Sequence, residues 1–232
     1  MQLLSLRNGF LVLTFSAIAS AGGLITGCTS TDSQIQSQAP EATTTNANDK
    51  QMMNHGGSMM NHSMGMDLGP ADANFDLRFI DAMIPHHQGA VEMAKEAQQK
   101  SKHPEIKKLA DNIIKSQNQE ITQMKQWRQA WYPKAGNKPM AYDSQMGHMM
   151  EMSSDQMQAM MMSQDLGASD AKFDLRFINA MIPHHEGAVT MAKDVLSKSK
   201  RPEIKQLAQE IIKAQNTEIK QMQQWRKSWY NQ

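Results

Sequence analysis

The chain has 232 residues, with 24 lysines and arginines against 23 aspartates and glutamates. A balance this close to neutral excludes nucleic acid as a main partner, because phosphate binding needs surplus cations to displace counterions. A single cysteine excludes a disulfide framework, an aromatic content of 6% disfavours a sheet-built core, and 22 methionines are the compositional outlier.

Residues 1–8 carry one cation, Arg7, ahead of the apolar run GFLVLTFSAIASAGGLIT, which ends at ITGC. Residues 1–27 read as a signal peptide, and the small residues before Cys28 resemble a bacterial lipoprotein cleavage box with Cys28 lipidated. An ordinary signal peptide cut near Ala21 and an uncleaved anchor are the alternatives. Every version places residues 29–232 outside the cytoplasm, in the periplasm or cell envelope or secreted. The membrane is then touched only through the N-terminal lipid or signal anchor. With Cys28 spent there, the rest of the chain has no thiolate ligand. Residues 28–50 are polar and rich in Thr, Ser and Gln, and read as a disordered tether.

Residues 51–71 form a Met/His-rich arm, in which Met52, Met53, Met59, Met60, Met64 and Met66 flank His55 and His62. A repeat follows: residues 72–132 and 170–230 align without a gap at an offset of 98, with 43 of 61 positions identical. A second Met-rich arm, 133–169, precedes the second copy; its Met146, Met149, Met150, Met152, Met157 and Met160–Met162 surround His148. Methionines set among Gly, Asn and Ser are not explained by core packing, and the stretch SSDQMQAMMMSQ has helical character.

Each copy reads as two helices, giving hairpins at 72–132 and 170–232. The first helix is expected to start near Asp72 or Asp170 as N-cap and to bury Phe79, Ile80, Met83, Ile84, His87, Ala90, Val91 and Ala94. The segments KSKHPE and KSKRPE end it, and Pro104 and Pro202 suit the first turn of a second helix. That helix carries Ile106, Leu109, Ile113, Gln117, Glu120, Met124, Trp127 and Trp131 at close to a 3.5-residue period, with the tryptophans as core anchors. A lone hairpin of this size buries too little apolar surface, so two are expected to pack as an all-α four-helix bundle with internal pseudo-twofold symmetry. Two separate hairpins, each pairing with another chain, are the alternative.

Pro85 and Pro183 remove a helical N–H just before the pairs His86–His87 and His184–His185, so the helix is expected to kink or restart there. Met83 lies three and four residues before the histidines, Met93 seven beyond His86, and Glu120 and Met124 face them from the second helix. Thioether sulfur selects Cu(I), imidazole accepts Cu(I) and Cu(II), and zinc prefers the cysteine this region lacks. Glu120 and Glu218 are expected to support a histidine rather than bind metal. Plain packing of the methionines, with one histidine of each pair in solvent, is the structural alternative.

FIDAMIPHHQGAVEMA together with AQNTEIKQMQQW resembles the CopM-like family of exported bacterial proteins, catalogued as a domain of unknown function and described as a ferritin-like helical bundle. The shared pattern is Pro-His-His-x-Gly-Ala-x-x-Met-Ala, and the resemblance covers both repeats, about half of the chain. It implies copper binding in the periplasm or outside the cell and a role in copper resistance. Carried over, the ligand positions are Met83, His86, His87, Met93 and Met124 in the first copy, and Met181, His184, His185, Met191 and Met222 in the second. Two copies in one chain leave open whether a site lies within a hairpin or between hairpins. The expectation is a protein that holds copper ions without turnover and exchanges them with copper-transfer partner proteins. A ferritin-like oxidase centre built from Glu and His, and a Met-rich interaction module without metal, are the alternatives.

Overall fold

The computed structural model describes residues 67–232. The signal peptide, Cys28, the tether and the first arm as far as Met66 lie outside the described residues. Two helical hairpins form the body: α1 (Phe75–Lys100) with α2 (Pro104–Trp131), and α4 (Phe173–Lys198) with α5 (Pro202–Tyr230). The linker between them carries strands β1 (Met140–Asp143) and β2 (His148–Glu151) and a short helix, α3 (Ser154–Met161). Among the described residues no helix is long and apolar enough to cross a membrane.

Pro104 and Pro202 open α2 and α5 in the first turn, where the missing N–H costs no hydrogen bond. The turns before them are closed by Ser101 and Ser199, whose buried hydroxyls accept from the backbone N–H of His103 and Arg201, each at 3.1 Å. The N-caps of α1 and α4 are Asn74 and Lys172, two residues later than expected. Asp72 and Asp170 bond to the N–H groups of Asn74 and Lys172 in the preceding turn, and they also hold Arg78 and Arg176. Nor does the first helix restart at proline: both α1 and α4 run unbroken through Pro85 and Pro183.

The hairpins join through α1 against α4. One core cluster combines the second half of α1 (Ala90, Met93, Ala97) and the first half of α2 (Ile106, Ile113) with the first half of α4 (Phe173, Phe177) and the end of α5 (Ile219, Met222). The other combines the complementary halves: Phe75, Phe79 and Met83 of α1 and Met124 of α2 with Met191 and Val195 of α4 and Ile204 and Ile211 of α5. The two hairpins are thus antiparallel partners about a pseudo-twofold axis. Reciprocal clasps bear this out. Lys100 donates to the Gly167 carbonyl at 3.0 Å and Lys198 to that of Gly69 at 2.9 Å. His103 stacks on Trp229 and Arg201 lies over Trp131. The tryptophans are not interior anchors: each pair stacks on itself, half-buried, at the end of the bundle, because helix ends offer only one covered side.

The second arm is an ordered cover. β1 and β2 pair antiparallel from Met140↔Glu151 to Asp143↔His148. The Asp81 carboxylate accepts from Met140 N–H at 2.9 Å and pairs with Arg128, which also binds the carbonyls of Gly136 and Lys138. α3 is started by a capping box between Ser153 and Gln156 and packs on α1. Core packing therefore does account for Met152 and Met160 of this arm, both buried, while Met146 stands 71% exposed at the hairpin tip.

A candidate metal site between the hairpins

All four paired histidines are buried. Adjacent residues point about 100° apart on a helix, so burial of both requires neighbours on two flanks. α1 has them: His87 turns toward α2, and His86 turns toward α4. His87 Nε2 meets Glu120 Oε2 at 2.6 Å, and His185 Nε2 meets Glu218 Oε2 at 2.7 Å. His86 and His184 meet each other across the pseudo-twofold with ring centroids 3.9 Å apart. Within a hairpin the two rings are 6.5 Å apart in the first copy and 6.3 Å in the second. His184 Nε2 also meets the Met161 carbonyl at the end of α3, at 3.1 Å.

Carboxylate and carbonyl oxygens accept, so the Nε2 atoms of His87, His185 and His184 donate and their Nδ1 atoms carry the lone pair. These three Nδ1 atoms, and both ring nitrogens of His86, are buried without a hydrogen-bond partner among the described residues. Burial holds His86 and His184 neutral. It lowers His184 to a pKa of about 3, helped by the neighbouring His185, and drives His86 well below its ordinary value, helped by His184. Neutral imidazole is the metal-binding form.

The core groups the methionines across the two copies. Met83 and Met124 share a core cluster with Met191 of the second copy, and Met181 and Met222 share the other with Met93 of the first. The exchange follows from antiparallel pairing: Met93 and Met191 lie past the crossing point, so each enters the partner hairpin's half of the core. Each methionine trio therefore comes from both hairpins, and the histidine layer lies between the trios along α1 and α4. Among the described residues no three His, Cys, Asp or Glu side chains converge on one point.

Of the described arm residues, Met146, His148, Met149 and Met150 sit on the β1–β2 hairpin, where His148 Nδ1 lies 3.4 Å from the Met146 carbonyl. His148 is exposed at the start of β2, Met149 and Met150 are half-buried along it, and Met146 is at the tip. Met52, Met53, His55, Met59, Met60, His62, Met64 and Met66 fall outside the described residues. Sequence reasoning missed the Met161 carbonyl, which has no side-chain signature. It also missed Gly89, whose lack of a Cβ is what lets that carbonyl reach the helix.

The sequence profile of a family described as a domain of unknown function, DUF305, matches residues 25–128 and again 76–226. The two overlapping matches are consistent with tandem copies. Among solved structures, CopM in its Cu(I)-bound form is 42% identical with a TM-score of 0.52, over 67% of this chain and 97% of that one. CopM in its Cu(II)-bound form is 44% identical with a TM-score of 0.53 over the same shares. A single hairpin is too short to supply that coverage, so the similarity takes in both. A curated relative, the uncharacterized protein L153 of Acanthamoeba polyphaga mimivirus, is 49% identical over 49 residues, 21% of this chain and 32% of that protein. The chain thus spans about a third of that relative's length.

Proposed function

We propose, from the premise that this chain belongs to the DUF305 family, that it binds copper between its two hairpins and sequesters it in the periplasm or cell envelope without turnover. The observation that carries this reading is the layer of four buried imidazoles with five ring nitrogens that lack a partner among the described residues. A buried polar atom without a partner costs about 1–3 kcal/mol; His86 spends one of its two nitrogens on its N–H, and the lone pairs left on the four rings call for a ligand that accepts them. Methionine trios on either side supply soft sulfur, the donor that selects Cu(I). Imidazole extends the range to Cu(II). Copper-bound CopM, over 40% identical across both hairpins, supports the same assignment. Glu120 and Glu218 support the no-turnover reading, since each is engaged with an imidazole rather than gathered as the inward carboxylates of a ferritin-like oxidase are.

Titrating the mature chain with Cu(I) against a competing chelator tests this. Replacing Met83, Met124 and Met191 together by leucine keeps volume, at less than about 1.5 kcal/mol each, and is expected to weaken Cu(I) binding by at least about tenfold, ~1.4 kcal/mol. Unchanged affinity, or a wild type that takes up no Cu(I), would sink the assignment. The envelope location rests on the ITGC box and its apolar run. Cys28→Ser is expected to move the protein from the membrane to the soluble envelope fraction; retention in the membrane would refute lipidation.

A further inference from the structure

We propose that α3 chooses the ligating atom of the histidine layer: the Met161 carbonyl binds His184 Nε2–H and so commits Nδ1 to the metal. The proposal rests on the copper reading above and adds a positioning element to it. His87 and His185 have Nε2 tied to the carboxylates of Glu120 and Glu218, which leaves Nδ1 bare and buried. Among the described residues His184 has no carboxylate partner. A main-chain oxygen from the linker takes that place at 3.1 Å, and its Nδ1 is likewise bare and buried. Three imidazoles reach the same tautomer by two different acceptors.

The acceptor suits its task. Carbonyls in the last turn of a helix have no intrahelical donor and carry the negative end of the helix dipole. Met161 is the last residue of α3, and Met162 turns the chain away in a left-handed conformation at φ 46°. Gly89, within the shared histidine motif, is where this carbonyl crosses α1: a Cβ there would overlap Met161 O and its carbonyl carbon. Such an overlap falls on backbone, so it cannot be relieved by rotating a side chain. α3 is held in place by the buried Met160 and the Ser153–Gln156 capping box, and β2, which leads into it, pairs with β1, which is pinned to Asp81. The linker is therefore part of the site, and the alanine-intolerant glycine of the motif has a stated purpose in the first copy.

The test uses the full mature chain, labelled with ¹⁵N at histidine and free of metal, so that ring-nitrogen shifts report each tautomer. His184 is expected as a single Nε2–H tautomer. In Gly89→Ala the displaced carbonyl is expected to leave His184 in mixed tautomers and to weaken Cu(I) binding about tenfold in chelator competition, at the low end of the loss seen when an orienting partner of a ligand is removed. Should Gly89→Ala not fold, Ser153→Ala combined with Gln156→Ala loosens α3 without touching the layer and is expected to act in the same direction. A wild-type His184 protonated on Nδ1 overturns the proposal. So does a variant that has lost the Nε2–H signature and still binds Cu(I) as tightly as wild type. The tautomer is read without metal, so a chain that shows it but takes up no Cu(I) overturns the copper reading and the ligand role built on it, and leaves the α3 hydrogen bond standing.

Discussion

His86→Leu combined with His184→Leu is expected to make the metal-free protein more stable while removing Cu(I) binding. The two side chains bring three buried ring nitrogens without partners into the core. Leucine fills a similar volume and removes that cost; orphaned polar groups run at about 1–3 kcal/mol each, and replacing them by apolar groups is neutral or stabilising. Part of the gain is offset because Met161 O loses its donor. A net gain on the order of 1–3 kcal/mol follows, against a Cu(I) affinity expected to fall by more than about 100-fold, beyond the range for outer-shell losses. The same pair sets a pH signature. Both imidazoles titrate lower in the folded chain than the ordinary value of 6.5, His184 at about 3. Between those limits the unfolded chain binds more protons, so stability rises with pH there. The stabilisation is fully present above about pH 6.5 and is lost on acidification toward pH 3, at up to about 1.4 kcal/mol per pH unit for each group. Thermal unfolding of the metal-free chain from pH 7.5 to 4 is expected to show this slope, and the double leucine variant a shallower one. A variant that is less stable than wild type at neutral pH, or that keeps both the slope and the copper, would show these histidines to be ordinary core residues.

Arg78→Ala is expected to cost the fold about 2–3 kcal/mol, as loss of a buried donor that leaves backbone acceptors unpaired does. Its guanidinium is 1% exposed, and it donates to the Leu68 and Pro70 carbonyls at 2.6 and 2.8 Å and pairs with Asp72. Tyr142 of β1 covers it, 5.3 Å from guanidinium carbon to ring centroid. Truncation would strand the Leu68 carbonyl under that ring and leave the Pro70 carbonyl without its donor. The second copy is an internal comparison. Arg176 makes the equivalent bonds to Leu166, Ala168 and Asp170, but its side chain is 35% exposed, so water can replace them. Arg176→Ala is expected to cost only about 1 kcal/mol, as for a solvent-accessible pair. Urea unfolding of both variants decides it: equal losses would mean that burial under the linker contributes nothing to the role of Arg78.

Much of the bundle was legible because its signals are local. Pro104 and Pro202 mark helix starts through a missing N–H, and the 3.5-residue period of Ile106, Leu109, Ile113, Gln117 and Met124 marks a buried stripe; both depend on residues within a turn or two of each other. Glu120 was readable as facing the histidines for the same reason, since it lies on that stripe. Where the reading failed, a non-local contact had intervened. Asp72 was given to a helix cap, but Arg78, held in place by loop carbonyls, claims it. Trp127 and Trp131 continue the stripe past the point where the partner hairpin covers it. The linker MAYDSQMGHMME lacks a long apolar run, and its strands exist because Asp81, Arg128 and Gly69 give them a surface to pack on.

The amino-acid order by itself determined a duplicated helical hairpin, its breaks, and a gathering of imidazole and thioether near the middle of the first helix in each copy, because periodicity and proline act over a few residues of backbone. Tertiary structure alone decided which groups meet. His86 and His184 are 98 positions apart and touch only because α1 and α4 cross in opposite directions, and that crossing exchanges Met93 with Met191 between the two halves of the core. Coordination chemistry depends on distances of a few ångströms, and pairing between distant segments is what sets those distances.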